Sequence, residues 1–530
     1  MIAIYISLFA GILLLHFNIV KYLHIMQQAF YEFKDYIPTL KSTNRFKVDF
    51  SEVLLVVLGV AIILLKNSTI LLILWIIVSI ITLVYSIKNK PQTKKKFAIT
   101  FRVRVIFSVI YILLGVLVYF LVKLNIKSEN YNLCYITLIL LSLNKHFAIC
   151  IVALSNALAK PIVNIFNNRY IKDAKRILNE KKDMKIIGIT GSYGKTSTKN
   201  IIGKILEEEY NTVITPKSFN TTLGVVRSIR ENIRPYTEIF VCEMGASKLN
   251  DIKKICKIAS PDISVITSIG PQHLMTFKSI ENVEKGKFEI VKNSKQGAVS
   301  VLNIDNEYIV DGIKKYANDK NIITYSINNS KADYYVQDIE INEQGSSFKI
   351  VSKDETYNIS TKLLGKHNIY NIVCAVAIAK LLNISKEKIE KSVRKISPIE
   401  HRLELKKMQN ILVLDDSFNS NPEGSKSAIE CLNAFKDKYR VLVTPGMIEL
   451  GEKTYELNKN LGKYASKCDY CILVGEKTTK PIKDGLDEEG YKNYEIVKDI
   501  YEAFIKLNSI RNKHDNLIAL IENDLTDSYS

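Results

Sequence analysis

A lone Cys-x-x-Cys, Cys468 and Cys471, has no second pair to complete a tetrahedral site, which argues against structural zinc. The eight cysteines are otherwise scattered, so there is no disulfide framework, in keeping with a reducing compartment for the soluble part. The apolar N-terminal region contains no intramembrane acid pair and the chain shows no internal repeat, so neither mark of a transporter is present. Acids are also missing from one entire loop, Lys88 to Arg104, where Lys88, Lys90, Lys94, Lys95, Lys96, Arg102 and Arg104 stand alone.

What is present is unevenly spread. The 530 residues have room for two to four domains. About the first 158 are dominated by long apolar runs, and the remainder reads as soluble α/β. Five apolar segments are predicted: Ile2–Val20, Val53–Leu65, Ser68–Ile87, Val105–Val122 and Asn132–Leu158. The first, third and fourth approach the roughly 20 residues of a spanning helix. The second is short and is expected to form a hairpin with the third, with Asn67 as the turn. The fifth is interrupted by Lys145 and His146, where Lys145 reads as a helix-end lysine in preference to a lipid-phosphate contact. The first segment lacks the basic start and small-residue cleavage site of a signal peptide.

Part of the net charge of +19 lies in short loops beside these segments, where it speaks of membrane orientation and not of nucleic acid. The acid-free loop, and Lys21, Lys34, Lys41, Arg45 and Lys47 after the first segment, belong on the cytoplasmic side. Alternation then leaves the N-terminus outside and everything after the fifth segment in the cytoplasm. The expected organisation is a membrane region over 1–158, a linker over 159–183, and α/β domains over 184–396 and 397–530.

The most telling stretch of the soluble part is Gly191-Ser192-Tyr193-Gly194-Lys195-Thr196-Ser197. It follows a strand-like run, Met184–Thr190, and opens a helical run to about Glu209, so backbone N–H groups and a helix N-terminus converge as a phosphate cradle requires. Lys195 would reach the outer phosphates, and Thr196 or Ser197 would set a hydroxyl near Mg2+. Short apolar runs at Ile239–Glu243, Ile263–Thr267 and Ala298–Leu302 alternate with helical stretches Leu249–Ala259 and Ile280–Asn293. The alternation predicts a parallel sheet covered by helices, with ligands at the carboxyl ends of its strands. Asp333–Thr361 reads as an antiparallel addition, and a second α/β unit begins near Ile411–Leu414, after a pause at Pro398.

Glu243 closes one strand and His273 follows another, while Lys287 lies in a helical run. Near a phosphate loop, an acid and a histidine at strand ends are suited to Mg2+ bridging nucleotide and substrate. Taken singly, His273 reads as a capping or core histidine and Lys287 as a solvated lysine. Together with Ser218–Gly224, Glu243-Met244-Gly245, Ile269–Leu274 and Lys287-Phe288-Glu289, the phosphate loop resembles the central domain of the Mur ligases. Gly365–Asn371 is similar to that family's adenine-contacting segment, and His401–Glu404 with Asp415–Pro422 to the opening of its C-terminal domain. The likeness runs in order from about Met184 to Gly475 and is nearest the MurF type, the UDP-N-acetylmuramoyl-tripeptide:D-alanyl-D-alanine ligase.

The resemblance implies an α-helical membrane region, then an α/β central P-loop ATPase domain and an α/β, Rossmann-like C-terminal domain. It implies ATP-dependent amide formation through an acyl phosphate, in cell-wall peptidoglycan synthesis. By resemblance the phosphate loop, with Gly191, Ser192, Gly194, Lys195, Thr196 and Ser197, would bind ATP. Glu243 and His273 would hold Mg2+ with Thr196, and Lys287 matches a lysine that becomes carbamylated. Asn368 would meet adenine, Asp416 the ribose, and Arg402 the phosphates. Lys195, Lys287, His273 and Arg402 are thus the implied catalytic set.

The chain departs from the pattern in three places. Apolar helices stand where the family has a UDP-sugar-binding domain. Pro445-Gly446-Met447-Ile448-Glu449-Leu450-Gly451 lacks an aspartate of the family segment, and the ending Ile521–Asp527 is not Lys-Gly-Ser-Arg-like. The partners expected are a small-molecule or lipid-linked muramoyl-peptide-like acceptor, an amino acid or dipeptide amine, and the membrane. The alternatives are a similar ligase for another amino-acid polymer or a lipid-linked acceptor, and an inactive membrane-anchored nucleotide-binding scaffold. Retention of Lys195, Glu243, His273 and Lys287 together argues against the scaffold.

Overall fold

The computed structural model describes residues 2–42, 45–65, 68–88, 97–128, 132–398, 400–408, 411–417, 421–448, 450 and 453–523. The chain divides into two compact units, Met1–Arg169 and Tyr170–Ser530.

The first unit is helical: α1 (Ile2–Gln28), α2 (Phe33–Ser42), α3 (Phe50–Leu64), α4 (Thr69–Lys88), α5 (Phe101–Ser128), α6 (Asn132–Ser142) and α7 (Asn144–Asn179), the last continuing into the second unit. Leu23, Leu55, Trp75, Ile110 and Leu138, one from each of five helices, meet in its interior. Four helices, α1, α4, α5 and α7, are long and apolar enough to cross a membrane, while α3 is shorter. The turn expected at Asn67 lies outside the described residues, as do Phe418–Ser420, Glu449, Gly451 and the end of the chain from Asp524.

The fifth apolar segment, read as interrupted at Lys145 and His146, breaks at Leu143 between α6 and α7. Polar side chains cause the break. Ser142 donates back to Leu138 O at 2.8 Å, and Asn144 spends its amide on Asn18 and on Ser142 O, so neither continues a plain helical ladder. The stretch 159–183, read as a linker, is helical as far as Asn179, the end of α7.

The second unit holds two sheets. The first comprises β1 (Lys185–Thr190), β2 (Thr212–Ile214), β3 (Ile239–Glu243), β4 (Ile263–Ile266), β5 (Val299–Asn303), β6 (Asn321–Ser326), β7 (Tyr334–Asn342), β8 (Gly345–Ser352) and β9 (Thr356–Thr361). Their order is β2-β3-β1-β4-β5-β6-β7-β8-β9, parallel through β7 and antiparallel from there. The apolar runs of β1, β3 and β4 are buried on both faces, as parallel strands under helices must be. Around them lie α8 (Lys195–Leu206), α9 (Thr222–Asn232), α10 (Asp251–Cys256), α11 (Leu274–Phe277), α12 (Ile280–Lys292), α13 (Glu307–Tyr316), α14 (Lys366–Leu381) and α15 (Lys386–Arg394). Side chains alternate along β1: Ile187 and Ile189 pack with Ile201 of α8 and Val376 of α14, and Ile186 with Val226 of α9 and Phe288 of α12.

The second sheet contains β10 (Glu404–Met408), β11 (Ile411–Asp416), β12 (Tyr439–Thr444), β13 (Tyr470–Val474), β14 (Tyr494–Val497) and β15 (Leu517–Glu522), in the order β10-β11-β15-β12-β13-β14. Only β10 runs antiparallel to its neighbour. Its helices are α16 (Pro422–Ala434), α17 (Thr454–Ala465), α18 (Glu476–Glu488) and α19 (Ile500–Arg511). Both sheets are thus open and wound by helices, which places ligands at strand carboxyl ends.

Candidate active site

The phosphate loop joins β1 to α8 at the middle of the first sheet, and two glycines make its path feasible. Gly191 has φ +154°, and a Cβ there would fall 2.0 Å from Thr267 Oγ1. Gly194 adopts a left-handed φ of +80° at the start of α8, which glycine does without strain. The loop is tied to the end of β4: Ser192 N–H donates to Ser268 O at 2.7 Å, and Tyr193 N–H to Ser268 Oγ at 3.2 Å.

Lys195 opens α8 and folds back over the loop, donating to Gly191 O at 2.6 Å and Ser192 O at 3.0 Å. Burial lowers its ammonium to a pKa of about 8, against the opposing pull of Glu243 and with the help of Arg402. Thr196 follows, its hydroxyl donating to Glu243 at 3.1 Å. Strand pairing explains this meeting, since Glu243 ends β3 beside Ile189 of β1. Glu243 is 1% exposed and accepts two further bonds, from Asn220 Nδ2 at 3.0 Å and from Lys199 Nζ at 3.1 Å. Lys199 is as deeply buried.

Lys287 sits on α12, near the Phe277 ring at 5.9 Å. It is no solvated lysine: it is fully buried, and that burial, with Lys195 close by, holds its amine far below the usual lysine range. His273 is exposed and adopts a left-handed φ of +54° at the start of α11. Among the described residues no three His, Cys, Asp or Glu side chains converge on one point. The Thr196–Glu243 pair still fits Mg2+, which favours one or two protein oxygens and takes its remaining ligands from phosphate and water.

A cavity of about 450 Å³ opens beside the loop, within the range of nucleotide-sized pockets. Gly194 and Ser197 line it from the first sheet, and Arg402 and Asp416 from the second. Arg402 lies within electrostatic reach of Lys195, Glu243 and Asp416. Asp416 accepts from Leu403 N–H at 3.0 Å and is raised to about 7, by burial first and then by Glu522. Asn371 lines the cavity, whereas Asn368, one turn earlier, gives its amide to Leu364 O at 2.9 Å. Tyr370 and Asp305 add a further wall, linked at 2.8 Å.

The structure therefore gathers Lys195, Thr196, Glu243, Lys287 and Arg402 around one point, with Asp416 on the adjoining cavity. Sequence reasoning missed Lys199 and Asp305, and it quoted Asn220 and Asn371 within motifs without giving either a role of its own. For Lys199 a signal existed: it shares a helical stripe with Ile202 and Leu206, at spacings of three and seven.

Comparison with known proteins follows the same division. The family model of the Mur ligase middle domain matches residues 189–379, and that of the Mur ligase glutamate ligase domain matches 401–520. The UDP-N-acetylmuramoyl-tripeptide–D-alanyl-D-alanine ligase of Buchnera aphidicola is 33% identical over 310 residues, 58% of this chain and 68% of the relative. Its Bacillus subtilis counterpart is 31% identical over 330 residues, 60% and 69% respectively. Among solved structures, the MurF ligase of Thermotoga maritima in complex with ADP superposes with a TM-score of 0.60 at 25% identity, covering 68% of this chain and 80% of that one. MurF of Acinetobacter baumannii gives 0.61 at 24% identity, covering 68% and 77%, a likeness of fold.

Proposed function

Since the chain belongs to the Mur ligase family, we propose that it is an ATP-dependent amide ligase of the MurF type, joining D-alanyl-D-alanine or a similar amine to a muramoyl-peptide carboxylate. The observation that carries this reading is the meeting of Lys195, Thr196 and Glu243 beside a cavity closed by Arg402 and Asp416 of the second sheet.

The chemistry has two steps. A carboxylate oxygen of the acceptor attacks the γ-phosphorus of ATP, releasing ADP and leaving an acyl phosphate. The amine then attacks the acyl carbon, phosphate departs, and the amine loses its proton. The obstacle is the approach of one anion to another. Lys195 and Arg402 offset that repulsion from two sides, and the loop N–H groups orient the phosphates. Thr196 and Glu243, with His273, would hold Mg2+, which supplies additional charge neutralisation on the transferring phosphoryl group. Lys287, its amine held far below the usual lysine range by burial, is suited to take up CO2 as a carbamate and so present an anionic oxygen. Asn368 would meet adenine, and Asp416 the ribose.

Four helices long and apolar enough to cross a membrane, with basic loops beside them, support the reading that the protein is a multi-pass chain of the cell membrane, its ligase unit cytoplasmic and its N-terminus outside. The same helices favour a second reading of the substrate, a lipid-linked acceptor in place of the UDP-sugar.

The test is phosphate release by the detergent-purified protein with Mg-ATP, UDP-MurNAc-tripeptide and D-Ala-D-Ala, omitting each in turn. Release that needs both substrates, with the amide product seen by mass and lost in Lys195→Ala, is expected. Nucleotide binding without release on the soluble acceptor would move the assignment to the lipid-linked one.

A further inference from the structure

Glu243 is held by more donors than a metal ligand needs. Its side chain accepts from Thr196, Asn220 and Lys199, and its backbone N–H donates to Thr215 Oγ1 at 3.1 Å. The donors divide the carboxylate between them. Lys199 touches Oε2 alone, Asn220 touches Oε1 alone, and the Thr196 hydroxyl lies 3.1–3.2 Å from both. Lys199 is itself anchored, donating to Lys217 O at 2.6 Å. Lys217 adopts a left-handed φ of +47°, a conformation unfavourable for a lysine, with its carbonyl on that ammonium.

We propose that Lys199 and Asn220 are positioning residues for the metal site, clamping Glu243 so that its carboxylate stays turned toward Thr196. The inference rests on the ligase reading above. Two physical requirements lead to it. A carboxylate 1% exposed has lost its water, so its hydrogen-bond and charge partners must come from the protein. It also has two equivalent oxygens, and a metal beside a triphosphate needs one of them in a fixed place. Lys199 answers the first requirement through a full charge buried equally deeply. Asn220 and Lys199 together answer the second, since rotation of the carboxylate would break both bonds.

Lys199 lies one helical turn beyond Lys195 and Thr196 on α8. One helix thus carries the cation for the phosphates, the hydroxyl for the metal and the cation that orders the metal's carboxylate. A neighbouring positive charge also repels Mg2+. The fixed placement of the ligand offsets that loss, because a carboxylate free to rotate keeps neither oxygen at a set place beside Thr196.

The test is binding of a non-hydrolysable ATP analogue to the full chain in detergent, by calorimetry, with and without Mg2+. The readout is the ratio of the two dissociation constants, which needs no acceptor. In Lys199→Met the ratio is expected to fall by about 10-fold or more, the usual effect of removing a partner behind a metal ligand. Metal-free affinity stays within about twofold, since the loop is untouched. Lys199→Arg retains most of the ratio. Asn220→Ala, on a half-buried loop, shows a smaller fall of the same kind and decides the matter if Lys199→Met does not fold. An unchanged or increased ratio, or equal losses with and without Mg2+, overturns the clamp. A native protein without Mg2+-dependent nucleotide binding overturns the ligase reading instead.

Discussion

Asp416 and Glu522 stand opposite each other at the carboxyl ends of β11 and β15. Glu522 is fully buried and bound by the hydroxyls of Ser425 and Thr444. Burial and this neighbour hold Asp416 at about 7, against the usual carboxylate value near 4. The folded protein therefore binds an extra proton between about pH 4 and 7, and this site loses stability as pH rises through that window. His367 works the other way. Burial and Arg402 hold it down to about 4, so it removes stability as pH falls below about 6.5. Their sum hides the effect, and a variant isolates it. Asp416→Asn is expected to gain melting temperature relative to wild type as pH rises from about 5 to 8. Parallel melting curves across that range would refute it. Little of this was legible in the sequence. Lys195 and Glu243 declare themselves by a loop pattern and a strand end, but the 106 positions from Asp416 to Glu522 are closed only by the pairing of β11 with β15.

Glycines in the same sequence meet very different surroundings, and local structure decides what each tolerates. Gly191 and Gly297 both have positive φ, +154° and +77°. A Cβ at Gly191 would overlap Thr267 Oγ1 at 2.0 Å and touch the Ser268 backbone at 3.1 Å, while a Cβ at Gly297 meets nothing within 4 Å. Gly297→Ala is expected to cost about 1 kcal/mol, the backbone penalty alone. Gly191→Ala must also displace the end of β4 from the phosphate loop, so its expected cost is about 2–4 kcal/mol. ATP affinity falls with it, but not in Gly297→Ala. Chemical denaturation and nucleotide titration of the two variants test this, and equal costs would refute the steric account. At this scale the sequence is a good guide where local chemistry decides. The strand, glycine turn and helix of β1 and α8 follow from hydrophobic runs and loop residues. The break at Leu143 was less legible, because Ser142 and Asn144 interrupt the helix through partners as distant as Leu55 and Asn18.

The helices of the first unit can be ordered from their contacts. Gln27 at the end of α1 donates to Ala98 O just before α5 at 2.9 Å, so those two helix ends share one side. Asn156 of α7 bonds Tyr31 O at 3.0 Å and Arg102 at 3.1 Å, and Phe166 meets Phe101 with ring centres 4.8 Å apart. Lys145 pairs with Asp49 at 3.0 Å, and His146 with Glu52, both at the start of α3. From Lys145 to Phe166 α7 rises about 32 Å, the thickness of the hydrocarbon. Its polar contacts over that length are with helix ends, while Ala148, Ile149 and Val152 join the interior cluster. α7 is, with α1, α4 and α5, long and apolar enough to cross a membrane, while α3 is shorter, at about 22 Å. The lysine that interrupts the fifth apolar segment is the ion-paired second residue of α7. Cys150 lies on this part of α7 and is the exposed one of the eight cysteines. A membrane-impermeant maleimide is therefore expected to label it in inverted vesicles and not in right-side-out ones, with Cys150→Ser as control. Protection in both would bury α7 in hydrocarbon. Labelling from outside would reverse the whole topology and separate the ATP site from its nucleotide.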